Sequence, residues 1–124
     1  MPYKIFRNQV YDKFNGHCAY CGKQIKLKDM QIDHIIPLYR GWADLYLERY
    51  NLTRGTNDLP NLNPSCRVCN KWKSTFTIEA FRLEIQAQTE RLNLRSSNYR
   101  MAKMYGLISE TKSEVKFYFE TLNK

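Results

Sequence analysis

A chain of 124 residues, 43% of them hydrophobic, can fill one modest core and excludes a large multidomain enzyme. It holds no apolar run long enough to cross a bilayer, and its start, Met1-Pro2-Tyr3-Lys4-Ile5, lacks the apolar stretch of a secretory signal. A cytoplasmic protein without a membrane partner is expected, and the formal net charge of +8 favours a polyanion, nucleic acid first, through release of counterions held on phosphates.

Over residues 3–14 the apolar positions Ile5, Phe6, Val10, Tyr11 and Phe14 recur at three- and four-residue steps, the pattern of an amphipathic helix, which Asn15-Gly16 would end. Cys18-Ala19-Tyr20-Cys21-Gly22 reads as a tight knuckle. Residues 30–36 are apolar-rich and closed by Pro37, which predicts a strand followed by a loop. Residues 41–50, with Trp42, Leu45, Tyr46 and Tyr50, read as a short helix inside an inserted loop, and 51–58 as turn chemistry. A second short strand is expected near 58–62.

Asn63-Pro64 reads as a helix start, with Asn63 as N-cap and Pro64 in the first turn. On that helix Cys66, Cys69, Asn70 and Lys73 would share one face. Thr77 is expected to cap a longer helix to about Leu94, burying Ile78, Phe81, Ile85 and Leu92. Residues 91–109 carry no acid, so Arg91, Arg95, Arg100 and Lys103 suit either phosphate contact or a solvated helix face. Residues 115–120 alternate with period two and predict a closing strand.

The four cysteines form two CxxC pairs, Cys18/Cys21 and Cys66/Cys69. A reducing cytosol disfavours disulfides, a redox motif needs only one pair, and a tetrahedral zinc site needs two. A disulfide-bonded secreted protein, the alternative, would hold no zinc and no free thiols. The interval from Cys21 to Cys66 is more than twice the roughly 20 residues of a zinc ribbon. The metal would therefore tie the ends of a long excursion that carries Asp33, His34 and Asn61. With four thiolates the zinc site is closed, a scaffold rather than a catalyst. His17 beside Cys18 reads as an ordinary side chain.

The order of Cys18-Ala-Tyr-Cys21, Asp33-His34-Ile35-Ile36-Pro37, Asn61-Leu62-Asn63-Pro64-Ser65-Cys66 and Cys69-Asn70-Lys71-Trp72-Lys73 resembles the HNH endonuclease family in its zinc-clamped form. The likeness runs from about residue 11 to 74. It implies a ββα-metal fold, metal-dependent cleavage of DNA leaving 5′-phosphate and 3′-hydroxyl ends, and a bacterial or phage setting. By position, His34 matches the general base, Asp33 and Asn70 the ligands of the catalytic cation, and Asn61 the middle asparagine that holds the loop behind the base. The cysteines match the structural zinc ligands. Asn70 stands where the family often has histidine, which shifts preference toward oxygen-loving cations, magnesium or manganese.

The chemistry fits those residue types. An imidazole titrates near neutrality and can deprotonate water, and a hard cation on oxygen ligands can stabilise the phosphoryl charge. His34 would be held by an acceptor such as a backbone carbonyl. Neighbours on a regular strand point to opposite faces, so β geometry must end or twist at Asp33-His34. Arg67, Lys71, Lys73, Arg91, Arg95 and Arg100 are expected on phosphates; the tryptophans and tyrosines suit base stacking or core packing.

The expectation is an α+β protein: a zinc-stabilised ββα-metal core over residues 1–75 with an N-terminal helix, and a helical extension over 76–124 ending in a strand and packed on the core. A non-catalytic zinc module that binds nucleic acid would leave Asp33 and His34 as ordinary polar residues.

Overall fold

The computed structural model describes residues 2–122. A 3₁₀ turn, Pro2–Phe6, runs into helix α1, Arg7–Asp12, whose Val10 is fully buried; Asn15 and Gly16 then turn the chain with positive φ. The knuckle follows, bent at Gly22, where φ is +81° and an added Cβ would meet the Tyr118 ring at 2.8 Å.

Strand β1, Gln31–His34, pairs antiparallel with β2, Leu62–Ser65, in the register Ile32 with Pro64, Asp33 with Asn63 and His34 with Leu62. Between the strands lie helix α2, Asp44–Arg49, and a 3₁₀ turn, Leu59–Asn61. Helix α3, Arg67–Lys73, leaves β2 at once, so two strands and a helix form the centre.

Two expectations change here. The second strand is not at 58–62 but begins at Leu62, and Asn63-Pro64 lie within it rather than starting a helix. The φ of proline serves a strand as well as a first helical turn, and burial of Asn63 opposite Asp33 decides for the strand. Pro64 lacks an N–H, which a two-stranded sheet tolerates, and its carbonyl accepts the Ala19 N–H at 2.8 Å. The helix starts instead at Arg67 with Cys66 as its N-cap, Sγ accepting from the Cys69 N–H at 3.4 Å.

Thr77 caps the next helix as expected, its Oγ1 accepting from the Ala80 N–H at 3.2 Å. The expected single helix to Leu94 is two, α4, Ile78–Gln86, and α5, Gln88–Arg95, joined at Ala87. Phe81 is buried and Ile78 and Ile85 pack beside it, but Leu92 is 40% exposed and lies outside this core cluster. Helix α6, Ser97–Met104, is capped by Ser96.

The closing strand is absent. Alternation does place Val115, Phe117 and Phe119 against the core, but the chain coils into a short helix α7, Tyr118–Thr121, where the Glu120 carboxylate accepts the Phe117 N–H at 2.8 Å. The N–H groups of Tyr118 and Phe119 are used by the knuckle, donating to Tyr20 and Ala19 carbonyls at 3.0 and 2.9 Å.

The core gathers Val10, Ala19, Tyr20, Met30, Leu62, Phe81 and Phe117. Tyr20 meets the rings of Phe81, Phe117 and Phe119 edge-on at 5.4–6.0 Å. Burying Phe81 or Phe117 contributes about 1.5–3 kcal/mol each. Buried Arg82 joins α4 to α7 by pairing with Glu79 and Glu120. No helix among the described residues is long and apolar enough to cross a membrane.

Candidate functional site

The Sγ atoms of Cys18, Cys21, Cys66 and Cys69 all lie within 4.8 Å of one another, those of Cys21 and Cys66 at 3.9 Å. Thiolates about 2.3 Å from one zinc ion in a tetrahedron stand about 3.8 Å apart, so the donor set and spacing fit zinc. The Cys18 thiol is pulled down to about 4, chiefly by its hydrogen bond with the Cys69 thiol, while that same contact pushes Cys69 up and burial pushes Cys21 up.

One cavity of about 230 Å³ is bordered by Asp33, His34, Asn70, Tyr39, Arg40 and Ser74. β1 ends at His34, which lets two consecutive residues face it despite strand alternation. The His34 ring lies 4.9 Å from the Tyr3 ring, edge-on, and its Nε2 is 2.8 Å from Asn57 Oδ1. The partner of the imidazole is therefore a side-chain amide rather than the expected backbone carbonyl.

Asn61 ties down the segment after His34. Its Oδ1 accepts the Ile36 N–H at 2.9 Å, its Nδ2 donates to the carbonyls of Ile36 and Thr56 at 3.0 and 2.8 Å, and its own carbonyl accepts the Ile35 N–H at 2.9 Å. Gly55 closes against the same segment, its N–H on the Pro37 carbonyl at 2.8 Å. Arg54 secures the inserted loop by donating to the carbonyls of Leu38, Tyr39 and Trp42 and pairing with Asp44. Beyond it the rings of Tyr39, Trp42, Tyr46 and Tyr50 follow one another at 4.6–5.4 Å between centroids.

Asp33 is buried and already engaged. One carboxylate oxygen accepts from the Tyr20 hydroxyl, and Lys73 Nζ lies 3.2–3.3 Å from both oxygens. Burial pushes the Asp33 carboxyl up and the Lys73 amine down, and their mutual attraction opposes both shifts. Lys73 is fully buried, so the expectation that it touches phosphate is overturned: α3 turns its last cation inward, beneath the site.

For a hard cation, Asn70 offers an amide oxygen with no hydrogen bond among the described residues, and Asp33 keeps lone-pair capacity beyond Tyr20 and Lys73. Oxygen donors of this kind fit magnesium or manganese.

Arg67 and Lys71 are exposed on α3. Arg91 is paired with Glu84, and Arg100 donates to the Asn93 carbonyl at 2.8 Å, so both are occupied within the chain; Arg95 is exposed without such a bond among the described residues. Sequence reasoning missed Tyr20, Asn57, Arg54 and the inward role of Lys73. A turn-rich stretch gives Asn57 no local signature, and only the Tyr20 position inside CxxC hinted at burial.

The HNH endonuclease family model matches residues 18–76. The protein named "SPbeta prophage-derived putative HNH endonuclease YoqL", from Bacillus subtilis (strain 168), is 37% identical over 71 residues, which cover 55% of this chain and 27% of that protein. Among solved structures, the Type II-C Cas9 enzyme from Actinomyces naeslundii matches over 91% of this chain and 12% of its own, with a TM-score of 0.52 and 19% identity, a likeness of fold. The chain thus corresponds to a minor part of the length of either relative.

Proposed function

We propose that this chain, whose residues 18–76 belong to the HNH endonuclease family, is a metal-dependent endonuclease that hydrolyses phosphodiester bonds of DNA. The observation that carries the reading is the convergence of His34, Asp33 and Asn70 on one cavity beside a four-cysteine clamp. With Asn57 Oδ1 as acceptor, His34 carries its proton on Nε2 and keeps the Nδ1 lone pair to take a proton from the attacking water. Asn61 holds the segment that follows His34 and so keeps the base in place.

Asp33 and Asn70 would hold the cation. When bound, magnesium or manganese supplies neutralisation of the charge that builds on the phosphoryl and leaving oxygens. The products are 5′-phosphate and 3′-hydroxyl ends. The four cysteines hold zinc as a scaffold and take no part in the chemistry.

The test is nicking of a supercoiled plasmid with and without added magnesium or manganese, with wild type and His34→Ala side by side. Wild type is expected to nick only with metal, and His34→Ala to be silent while keeping its zinc content and circular dichroism. An equally active His34→Ala protein removes the mechanism. The prior engagement of Asp33 by Lys73 and Tyr20 favours one second reading, a zinc module that binds nucleic acid without cutting it; that reading predicts no nicks in any metal.

A further inference from the structure

A second, larger recess of about 480 Å³ lies on the knuckle side of α3, bordered by Lys23, Lys26, Lys28, Arg67, Gln31 and Asp29. Four cations thus face one acid. All four cations are exposed, and none makes an ion pair among the described residues. In the helical extension Arg82, Arg91 and Lys103 are each paired with a glutamate. Of the cations on α5 and α6, Arg95 and Arg100 make no ion pair among the described residues and Arg100 is hydrogen-bonded to the Asn93 carbonyl, so the recess beside the cysteine cluster gathers more unpaired cations than those two helices.

Helix α3 contributes to both the recess and the His34 cavity. Arg67, Asn70 and Lys71 stand at i, i+3 and i+4 on α3, and so share one side of that helix with neighbouring Cβ atoms about 5–6 Å apart. Arg67 borders the basic recess and Asn70 borders the cavity of His34. A phosphodiester strand with one phosphate at His34 can follow this side of α3 into the recess, where clustered lysine and arginine release its counterions.

We infer that the recess lined by Lys23, Lys26, Lys28 and Arg67 is the docking surface for the backbone of duplex DNA, and that the α5–α6 arginines are not. The inference rests on the nuclease reading for its choice of DNA, and it goes beyond that reading in placing the strand.

The test uses the full chain in a His34→Ala background without added magnesium, so that binding is read without cleavage, by fluorescence anisotropy of a short labelled DNA duplex over a series of salt concentrations. Lys26→Glu with Lys28→Glu, and separately Arg67→Glu, should weaken binding at least tenfold. They should also flatten the dependence of log affinity on log salt by about 0.9 for each phosphate no longer neutralised. The milder Lys26→Gln with Lys28→Gln pair should show an intermediate loss, and zinc content should match the parent throughout. Arg91→Ala with Arg100→Ala should bind within twofold of the parent.

Groove variants that bind like the parent, an α5–α6 pair that weakens binding as much as they do, or a preference for an RNA duplex would each overturn the inference. A wild-type protein that never nicks a plasmid in magnesium or manganese overturns the nuclease reading alone. A nicking wild type whose groove variants bind normally overturns the docking surface alone.

Discussion

The buried ammonium of Lys73 donates to the main-chain oxygen of His34 at 2.9 Å while pairing with the Asp33 carboxylate. One side chain of α3 thereby fastens the helix to both residues of β1 that face the cavity with Asn70. Lys73→Met is expected to cost about 3–5 kcal/mol, because it leaves the Asp33 charge buried with only the Tyr20 hydroxyl beside it. Adding Asp33→Asn should recover part of the loss. Urea unfolding of the single and double variants checks this, and wild-type stability in Lys73→Met would refute it.

Asn57 is the acceptor that fixes the imidazole of His34. Asn57→Leu keeps the branching at Cγ and removes the acceptor, so nicking should slow about 10–100-fold through kcat, with KM little changed. A rise in KM at constant kcat would instead place Asn57 on the substrate.

Zinc on the four cysteines would join residues far apart in sequence, and its loss should unfold the site rather than merely silence it. Cys66→Ser is expected to lose zinc and its cooperative thermal transition together, since structural zinc contributes folding energy directly. A cooperative, zinc-free, active variant would contradict the scaffold role.

A Cβ on Gly55 would stand 1.8 Å from the Ile36 carbonyl oxygen and 2.7 Å from Asn61 Nδ2. Backbone oxygen cannot swing away, so Gly55→Ala must displace the segment after His34. A loss of about 1–3 kcal/mol is expected by analogy with overpacking, together with reduced cleavage. Unchanged thermal stability and kcat would show that the loop yields freely.

Glu110 is held down to about 2 by hydrogen bonds from Tyr99, Asn93 and Lys103. Its folded value lies below its unfolded one, so its stabilising contribution is full above the ordinary carboxylate range and is lost as pH falls toward 2. The gap in unfolding temperature between wild type and Glu110→Gln should be constant near neutral pH and shrink below about pH 4.3. Acid release of zinc affects both proteins alike, which is why the gap is the quantity to follow. A gap that widens in acid would reverse the sign.

The gathering of the four cysteines was legible because CxxC spacing is a local code for a tetrahedral ion, and the motifs around Asp33, His34 and Asn70 were legible as a set, since those residues border one cavity. Helix α1 and the Thr77 cap were written in local periodicity and in a hydroxyl at the right offset. What failed depended on distant partners. Asn63-Pro64 carries the signs of a helix start, and only pairing with Ile32 and Asp33 turns it into a strand. Lys73 looks like any lysine on a basic helix until Asp33, forty residues earlier, captures it. The tail alternates like a strand, yet Ala19 and Tyr20 take two of its N–H groups and Glu120 turns it into a helix.

Phe117 packs into the same core as Val10, and Phe119 docks on the backbone of the zinc knuckle. During synthesis, then, the two strands and the clamp can be complete while their hydrophobic floor is still inside the ribosome. The core would then close only after residue 119 emerges. Ribosome-stalled chains ending before and well after that residue should differ sharply in protease resistance, and equal resistance would show that the core closes without its last aromatic residues.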